Sequence, residues 1–141
     1  MTTLDERAAL LARCAFFHGL PEGDVAQLAR LVTERSFDKG AAVFRAGDPS
    51  DALFVVARGT VAIRDGGTTL SRVAPPECFG ELGALAEEPR SADALCETSC
   101  EMLRLSTRDL HAALRSQPAL QRQVMLGLVN KVKEVGRRAR Q

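Results

Sequence analysis

The segment 79–94 carries residues whose types and spacing suit the binding of a phosphate and a sugar. Gly80 lets the backbone turn sharply and approach a ligand closely, and the amides that open the short helical run after it point toward an anion. Arg90 offers a planar, permanently charged fork that matches two phosphate oxygens. Glu81, when ionised, only accepts hydrogen bonds and therefore suits a sugar hydroxyl. Together these residues predict a site for a nucleotide with one accessible phosphate and a free ribose hydroxyl.

Two short motifs frame this segment, Phe79-Gly80-Glu81-Leu82 and Pro89-Arg90-Ser91-Ala92. At this spacing they resemble the phosphate-binding cassette of the cyclic nucleotide-binding domain family, which includes bacterial catabolite activators, regulatory subunits of cyclic nucleotide-dependent kinases and cyclic nucleotide-gated channels. The resemblance implies that cAMP or cGMP binds as a regulatory ligand, without a metal. It also implies that the ligand contacts lie at seven positions, which are Phe79, Gly80, Glu81, Leu82, Arg90, Ser91 and Ala92.

The resemblance extends over nearly the whole chain. The stretch Phe16-Phe17-His18-Gly19-Leu20-Pro21 is similar to the family's N-terminal helical segment, and Gly40, Gly47 and Gly59 are similar to its turn glycines. Residues 106–140 resemble its two closing helices. The resemblance therefore implies both the ligand site and the elements that surround it.

The chain departs from the family pattern on both sides of the site. Asp93 stands where many relatives carry threonine, a β-branched residue or an aromatic residue. Its negative charge is expected to weaken the binding of a nearby phosphate. Strand alternation, however, predicts that its side chain points away from those of Ala92 and Ala94. Counting from Pro118, the positions that meet the adenine edge in catabolite activators are Val135 and Gly136, which carry no hydroxyl. We therefore expect modest discrimination between cAMP and cGMP. The resemblance implies that cAMP is slightly favoured, only because it is the commoner bacterial ligand of this family.

The spacing of apolar residues predicts helices at both ends of the chain and strands between them. Residues 4–15 place apolar side chains on one helical face, and residues 25–32 do so again. From residue 36 to residue 73, short apolar runs alternate with turn residues, which is typical of an antiparallel sandwich or barrel. Asp65-Gly66 predicts a tight hairpin turn, and residues 92–105 are expected to form a last hairpin.

Two helices are predicted to close the chain. Ser106 and Asp109 fit a capping box at the start of the first, and Pro118 suits the first turn of the second. The second helix carries an apolar stripe, made of Leu120, Val124, Leu128, Val132, Val135 and Ala139. Such a stripe either packs onto the strands or forms a dimer seam. We predict a homodimer through this helix.

These elements and the resemblance predict an α+β fold, in which an antiparallel β-roll (a jelly-roll-like double-stranded β-helix) is flanked by N-terminal helices and two C-terminal helices. At 141 residues the chain is expected to form a single domain over 1–141. The expected division places N-terminal helices at 1–33, the β-roll with its cassette 79–94 at 34–105, and the C-terminal helices at 106–141.

Composition narrows the class of protein. A net charge of +1 argues against binding of DNA through a broad basic surface, and no apolar run or signal peptide indicates a membrane or an exported protein. A cytoplasmic protein is therefore expected, with reduced cysteines. Cys96 and Cys100 flank the predicted last turn, where a disulfide, a metal or simple packing are all open.

The function predicted from these observations is that of a sensor and not of an enzyme. Glu87 and Glu88 are adjacent carboxylates, but no nucleophile or metal cluster accompanies them, and the two histidines are isolated. The chain stops where many relatives continue into an output domain, so its effector is expected to be another protein or its own dimer partner. Two alternatives are a protein-interaction module that has lost the ligand and an excised regulatory domain of a larger channel, kinase or transcription regulator, which the initiating Met1 disfavours.

Overall fold

The N-terminal helices form one cover of the molecule. The computed structural model describes residues 2–139, except for the side chains of residues 131, 132, 134, 135 and 137–139. Helix α1 (Leu4–Arg13) begins at a capping box in which the hydroxyl of Thr3 accepts from the amide of Glu6, whose carboxylate accepts from the amide of Thr3. A 3₁₀ turn (Ala15–Phe17) and helix α2 (Glu22–Leu31) follow. The predicted first helix therefore ends two residues early and tightens into the 3₁₀ turn.

Eight strands form two four-stranded antiparallel sheets within the described residues. Their bounds are β1 (Thr33–Phe37), β2 (Ala42–Phe44), β3 (Ala52–Arg58), β4 (Val61–Asp65), β5 (Thr68–Val73), β6 (Cys78–Phe79), β7 (Asp93–Cys96) and β8 (Cys100–Ser106). One sheet has the order β1-β8-β3-β6 and the other β2-β7-β4-β5. With helices at both ends, this confirms the predicted α+β jelly-roll-like fold.

The hairpin predictions had different outcomes. β4 and β5 pair as expected, around a turn in which Gly66 has a φ of +59°. The expected last hairpin is wrong, since β7 pairs with β2 and β4, whereas β8 pairs with β1 and β3. The short connection between β7 and β8 crosses from one sheet to the other. Apolar alternation marks both strands but does not reveal that they belong to different sheets.

Strand β3 divides the apolar core into two parts because its side chains alternate between its two faces. Leu53 and Val55 pack with the helices, beside Leu28 of α2. Ala52 and Phe54 point into the interior of the roll. All five residues from Ala52 to Val56 are buried. The strand therefore forms a rigid wall between the helical layer and the roll.

The segment that precedes the predicted site is anchored to this wall. β6 pairs with β3 through Phe79 opposite Phe54 and Cys78 opposite Val55. Gly80 then turns the chain with a φ of +78°, and helix α3 (Glu81–Ala86) begins. The positive φ explains why a glycine stands here.

Two helices close the chain, as predicted. Ser106 caps helix α4 (Thr107–Ser116), its hydroxyl accepting from the amide of Asp109 at 3.1 Å. Helix α5 (Pro118–Ala139) starts at Pro118. In the described part of the chain, no helix combines the length and the apolar character needed to cross a membrane.

The apolar stripe of α5 is only partly buried. Leu120 and Val124 belong to the core, whereas Leu128 is 40% exposed. Met125, Leu126 and Val129 are exposed as well. The side chains of Val132, Val135 and Ala139 lie outside the described residues. The helix therefore packs through its first two turns and then presents apolar residues on its surface.

Candidate functional site

Arg90 lies at the centre of the predicted site and is buried, with 6% of its surface exposed. Its Nη1 donates to the carbonyl of Gly80 at 2.8 Å, and its Nη2 donates to the carbonyl of Ala52. Its Nε has no partner among the described residues. The arginine therefore braces the turn of the cassette against β3 and still has a buried donor to offer.

The charge of Arg90 is poorly compensated. Among the described residues, none forms an ion pair with it. Burial lowers the pKa of its guanidinium, while the carboxylates of Asp51, Glu81 and Asp48 act in the opposite direction. A desolvated cation of this kind gains from an anion brought close to it.

The aromatic ring of Phe44 packs against the guanidinium of Arg90. The Cζ of Arg90 lies 4.0 Å from the centroid of the Phe44 ring, at cation–π distance. Phe44 contacts Phe79, with centroids 5.9 Å apart, and Phe79 stacks on Phe54 at 5.4 Å. Since Phe79 and Phe54 are buried on paired strands, they hold Phe44 and Arg90 in place. Phe79 thus supports the arginine from within the core.

Two glycines allow the chain to pass close to Arg90. A Cβ on Gly80 would lie 2.7 Å from Nη1 of Arg90. A Cβ on Gly83 would overlap Oγ of Ser50 and lie 3.3 Å from the same nitrogen. Gly83 was not among the predicted site residues, although it stands only three residues after Gly80 in the sequence. A close approach of this kind depends on a partner distant in the chain.

The other predicted site residues lie on the same segment at different depths. Glu81 is half-buried at the start of α3, and the thiol of Cys78 contacts its Oε2 at 4.0 Å. Leu82 is exposed on α3, and Ser91 is exposed directly after Arg90. Ala92 is buried at the start of the return to β7. The structure therefore places the carboxylate and the arginine on the two arms of one loop.

Asp93 does not point toward the arginine. Its Oδ1 accepts from the amide of Ala46 at 2.8 Å, and its Oδ2 lies 3.9 Å from Nη1 of Arg45. Strand alternation had predicted that it points away from Ala92 and Ala94, both of which are buried. The side chain is engaged by the connection between β2 and β3, which sequence reasoning did not include in the site.

Two contacts join the cassette to α4. Nε2 of His111 donates to the carbonyl of Ala84, within α3, at 2.9 Å. The hydroxyl of Ser50 donates to the carbonyl of Glu88, and the carbonyl of Ser50 accepts from the hydroxyl of Thr107 at 2.8 Å. The cassette is therefore hydrogen-bonded to the first closing helix both directly and through Ser50.

The cysteines form two pairs of neighbours without a disulfide. Cys96 and Cys100 are both buried and in contact, and burial, followed by the Cys100 thiol, raises the pKa of Cys96 to about 12. Cys14 is buried beside Cys78, whose thiol lowers the pKa of Cys14 by hydrogen bonding. No cluster that could hold a metal occurs among the residues that the structure describes. Of the alternatives open for Cys96 and Cys100, simple packing describes what is seen.

The base side of the site stays a prediction. Val135 was expected to meet the base, and its side chain lies outside the described residues. Gly136 is on α5 and contributes no side chain.

Proteins similar to this chain are found by sequence and by structure. A sequence model of the cyclic nucleotide-binding domain matches residues 34–117. A putative potassium channel protein of Rhodopseudomonas palustris is 31% identical over 120 residues, covering 82% of this chain and 29% of the channel protein. The cyclic AMP receptor protein of Thermus thermophilus is 32% identical over 123 residues, covering 84% of this chain and 57% of the receptor.

A solved structure of the N-terminal domain of a Streptomyces coelicolor transcriptional regulator superposes with a TM-score of 0.78 at 27% identity. It covers 92% of this chain and 94% of that domain. The two curated relatives are much longer than the part that matches, since this chain spans 29% and 57% of their lengths. The shared part is therefore a domain of those proteins.

Proposed function

The chain belongs to the cyclic nucleotide-binding domain family, and we propose on that premise that it binds cAMP or cGMP and acts as a sensor. The resemblance inferred from the cassette motifs is thereby confirmed at the level of the family. One relative is a cyclic AMP receptor protein, which supports cAMP as one of the two candidate ligands. The family is typically regulatory, and we propose a regulatory and not a catalytic role here.

The observation that supports this proposal most strongly is the burial of Arg90 without a partner for its Nε among the described residues. The arginine is a buried cation with one unpartnered N–H among the described residues and no ion pair among them. Buried charges are ordinarily paired. A cyclic phosphate beside Nε would supply both the missing acceptor and the missing negative charge. We assign the ribose hydroxyl to Glu81 and the remaining contacts to Phe79, Gly80, Leu82, Ser91 and Ala92.

We propose that binding is transmitted to the closing helices through the contacts of the cassette with α4. His111 and Thr107 both lie on α4 and bond to the cassette or to Ser50 beside it. α4 leads directly into α5 through Gln117, which is buried and donates to Gln27 of α2. A phosphate that tightens the loop at Arg90 would shift the population of α4 and α5 arrangements. In this mechanism α5 redocks over the nucleotide.

The exposed apolar residues of α5 favour a second function, which is protein association. Met125, Leu128 and Val129 lie at helical spacing and are exposed. A contiguous apolar patch on a helix is typical of an interface. We propose that this face forms a homodimer, with a separate effector protein as an alternative occupant. A module that keeps this face and has lost the nucleotide is the competing interpretation.

The remaining features of the proposal concern organisation and location. We propose a single domain over 1–141, in which 1–33 contain the N-terminal helices, 34–105 contain the roll and 106–141 contain the closing helices. We further propose a cytoplasmic protein that binds neither DNA nor a membrane directly. The excised regulatory domain of a larger protein remains the alternative organisation.

Calorimetric titration with cAMP and with cGMP tests the proposed function. We expect saturable binding of at least one nucleotide by the wild type, with modest discrimination between the two, since shape alone separates ligands by about 1 to 3 kcal/mol. Arg72→Ala is the matched control, because Arg72 is exposed on β5 and pairs only with Glu97 among the described residues. If neither nucleotide at millimolar concentration gives a heat of binding or raises the unfolding temperature, the protein is instead an interaction module that has lost the ligand.

A further inference from the structure

The side chain of Asp93 contacts the turn that is hydrogen-bonded to the backbone of Arg90. Asp93 opens β7, three residues after Arg90, and its Oδ1 accepts from the amide of Ala46 at 2.8 Å. Residue 46 belongs to the turn 45–48, which links β2 to β3. A carboxylate that accepts from a backbone amide fixes that amide in position. Asp93 therefore holds a turn that is 47 residues away in sequence.

The same turn holds the backbone of Arg90. The amide of Gly47 donates to the carbonyl of Arg90 at 2.8 Å, and the amide of Arg90 donates to the carbonyl of Asp48 at 2.8 Å. The turn is closed internally, since Oδ2 of Asp48 accepts from the amide of Arg45 at 2.9 Å. Both backbone hydrogen-bonding groups of Arg90 are thus engaged by the 45–48 turn. The position of this turn therefore determines where the guanidinium of Arg90 lies.

The ion pair between Asp93 and Arg45 contributes little to this arrangement. Its atoms are 3.9 Å apart, and the Arg45 side chain is 63% exposed. Exposed pairs of this length are screened by water and salt. The hydrogen bond to the Ala46 amide is the contact that matters, and it needs an acceptor oxygen but not a full charge.

The charge of Asp93 is also directed away from the phosphate site. The carboxylates that raise the pKa of Arg90 against the effect of burial are Asp51, Glu81 and Asp48, and Asp93 is not among them. The Asp93 carboxylate is engaged with the Ala46 amide, and a weakening of phosphate binding by its charge stays a prediction.

We propose that Asp93 is a positioning residue for nucleotide binding: it fixes the 45–48 turn through the Ala46 amide, and that turn fixes the backbone of Arg90. The inference rests on the proposed function in that Arg90 is taken to bind the cyclic phosphate. It assigns to Asp93 a role that depends on its acceptor oxygen and not on its charge.

Three variants separate the contributions of the acceptor oxygen, the negative charge and the ion pair of Asp93. Asp93→Ala removes the acceptor, Asp93→Asn keeps an acceptor oxygen without the charge, and Arg45→Ala removes only the ion pair. Calorimetry with cAMP and cGMP measures affinity, and hydrogen exchange of the ligand-free protein measures protection of the Ala46, Gly47 and Arg90 amides. Thermal unfolding of each variant reports whether the fold is retained.

We expect Asp93→Ala to weaken nucleotide affinity about tenfold, as for the loss of one hydrogen bond, and to accelerate exchange of these three amides. Asp93→Asn and Arg45→Ala should stay close to the wild type in both measurements. Unchanged exchange at Arg90 in Asp93→Ala would overturn the proposal, as would equal or tighter nucleotide binding by that variant.

The two proposals can fail separately. If the wild type binds neither nucleotide, the proposed function fails, while amide exchange still decides whether Asp93 positions Arg90. If Asp93→Ala unfolds, Asp93→Asn carries the test. Binding by Asp93→Asn as weak as that expected for Asp93→Ala would show that the charge, and not the acceptor, is needed.

Discussion

Nη1 of Arg90 lies 2.8 Å from the carbonyl oxygen of Gly80, so the arginine spans the loop between the two arms of the cassette. In the same side chain, Nη2 reaches the carbonyl of Ala52 on β3. The residue proposed to bind the ligand is therefore also a brace of the ligand-free loop. Its removal should affect both roles, and experiments need to separate them.

Arg90→Ala should weaken nucleotide binding by about 2 to 5 kcal/mol, because the phosphate charge loses its buried partner. This corresponds to at least about tenfold in affinity. Glu81→Ala should cost less, since it removes one charge-assisted hydrogen bond to the ribose. Arg90→Lys keeps a positive charge but loses the planar fork and should fall between wild type and Arg90→Ala. Calorimetry on the four proteins gives the order, and equal affinities for Arg90→Ala and wild type would contradict the assignment.

Gly83→Ala should destabilise the protein even though alanine favours helices. The new Cβ would overlap Oγ of Ser50 and lie 3.0 Å from its Cβ, and overpacking of this kind costs about 1 to 3 kcal/mol. Gly127→Ala on α5 is the matched control, since nothing lies within 4 Å of its Cβ position. That control should be neutral or stabilising by up to about 1 kcal/mol. Urea unfolding measures both, and the double variant Gly83→Ala with Ser50→Gly should recover part of the loss.

Leu128→Glu should reduce homodimer formation without unfolding the roll. Leu128 is 40% exposed and borders a surface groove between α4 and α5, beside Leu114 and Met125. A charge placed in an apolar interface is desolvated on association. Arg122→Glu, an exposed change elsewhere on α5, is the control. Sedimentation velocity checks the oligomeric state, and a wild type that remains monomeric at high concentration, with and without nucleotide, would refute the dimer.

Cys96 should resist alkylation in the folded protein. Its pKa is raised to about 12 by burial and by the neighbouring Cys100 thiol, and the thiolate is the reactive form. Raising the pH from about 7 to about 9 ionises an ordinary cysteine but leaves Cys96 protonated. Cys78 is half-buried, whereas the other three cysteines are buried, so Cys78 should react first with iodoacetamide. Mass spectrometry gives the order, with a urea-unfolded sample as the control in which all four react.

Much of the fold could be predicted from local signals. The capping serine at Ser106, the proline at Pro118 and the glycine turns each act over a few residues, so they mark element ends without knowledge of the rest. The partners of strands are different, because apolar alternation is the same for any neighbour. That is why β7 and β8 were expected to form one hairpin although they lie in separate sheets.

The candidate site shows the same division. Glu81 and Arg90 could be found in one short segment, because their spacing follows from a single loop. Phe44, Ser50 and the 45–48 turn could not, since they reach the cassette only through pairing across distant parts of the chain. Asp93 was identified, and strand alternation predicted that it points away from Ala92 and Ala94. Its partner, the amide of Ala46, is indicated by no local pattern.

Strand β3 restricts how a protein of this kind could evolve. Five consecutive residues of the strand are buried, with one face in the helical core and the other in the roll, so nearly every substitution there would be eliminated through loss of stability. The strand contributes to the site through the backbone carbonyl of Ala52, which any residue supplies, and through the buried ring of Phe54, which stacks on Phe79. Divergence in ligand preference would therefore arise in the turns and in α5, while the wall behind Arg90 stays unchanged.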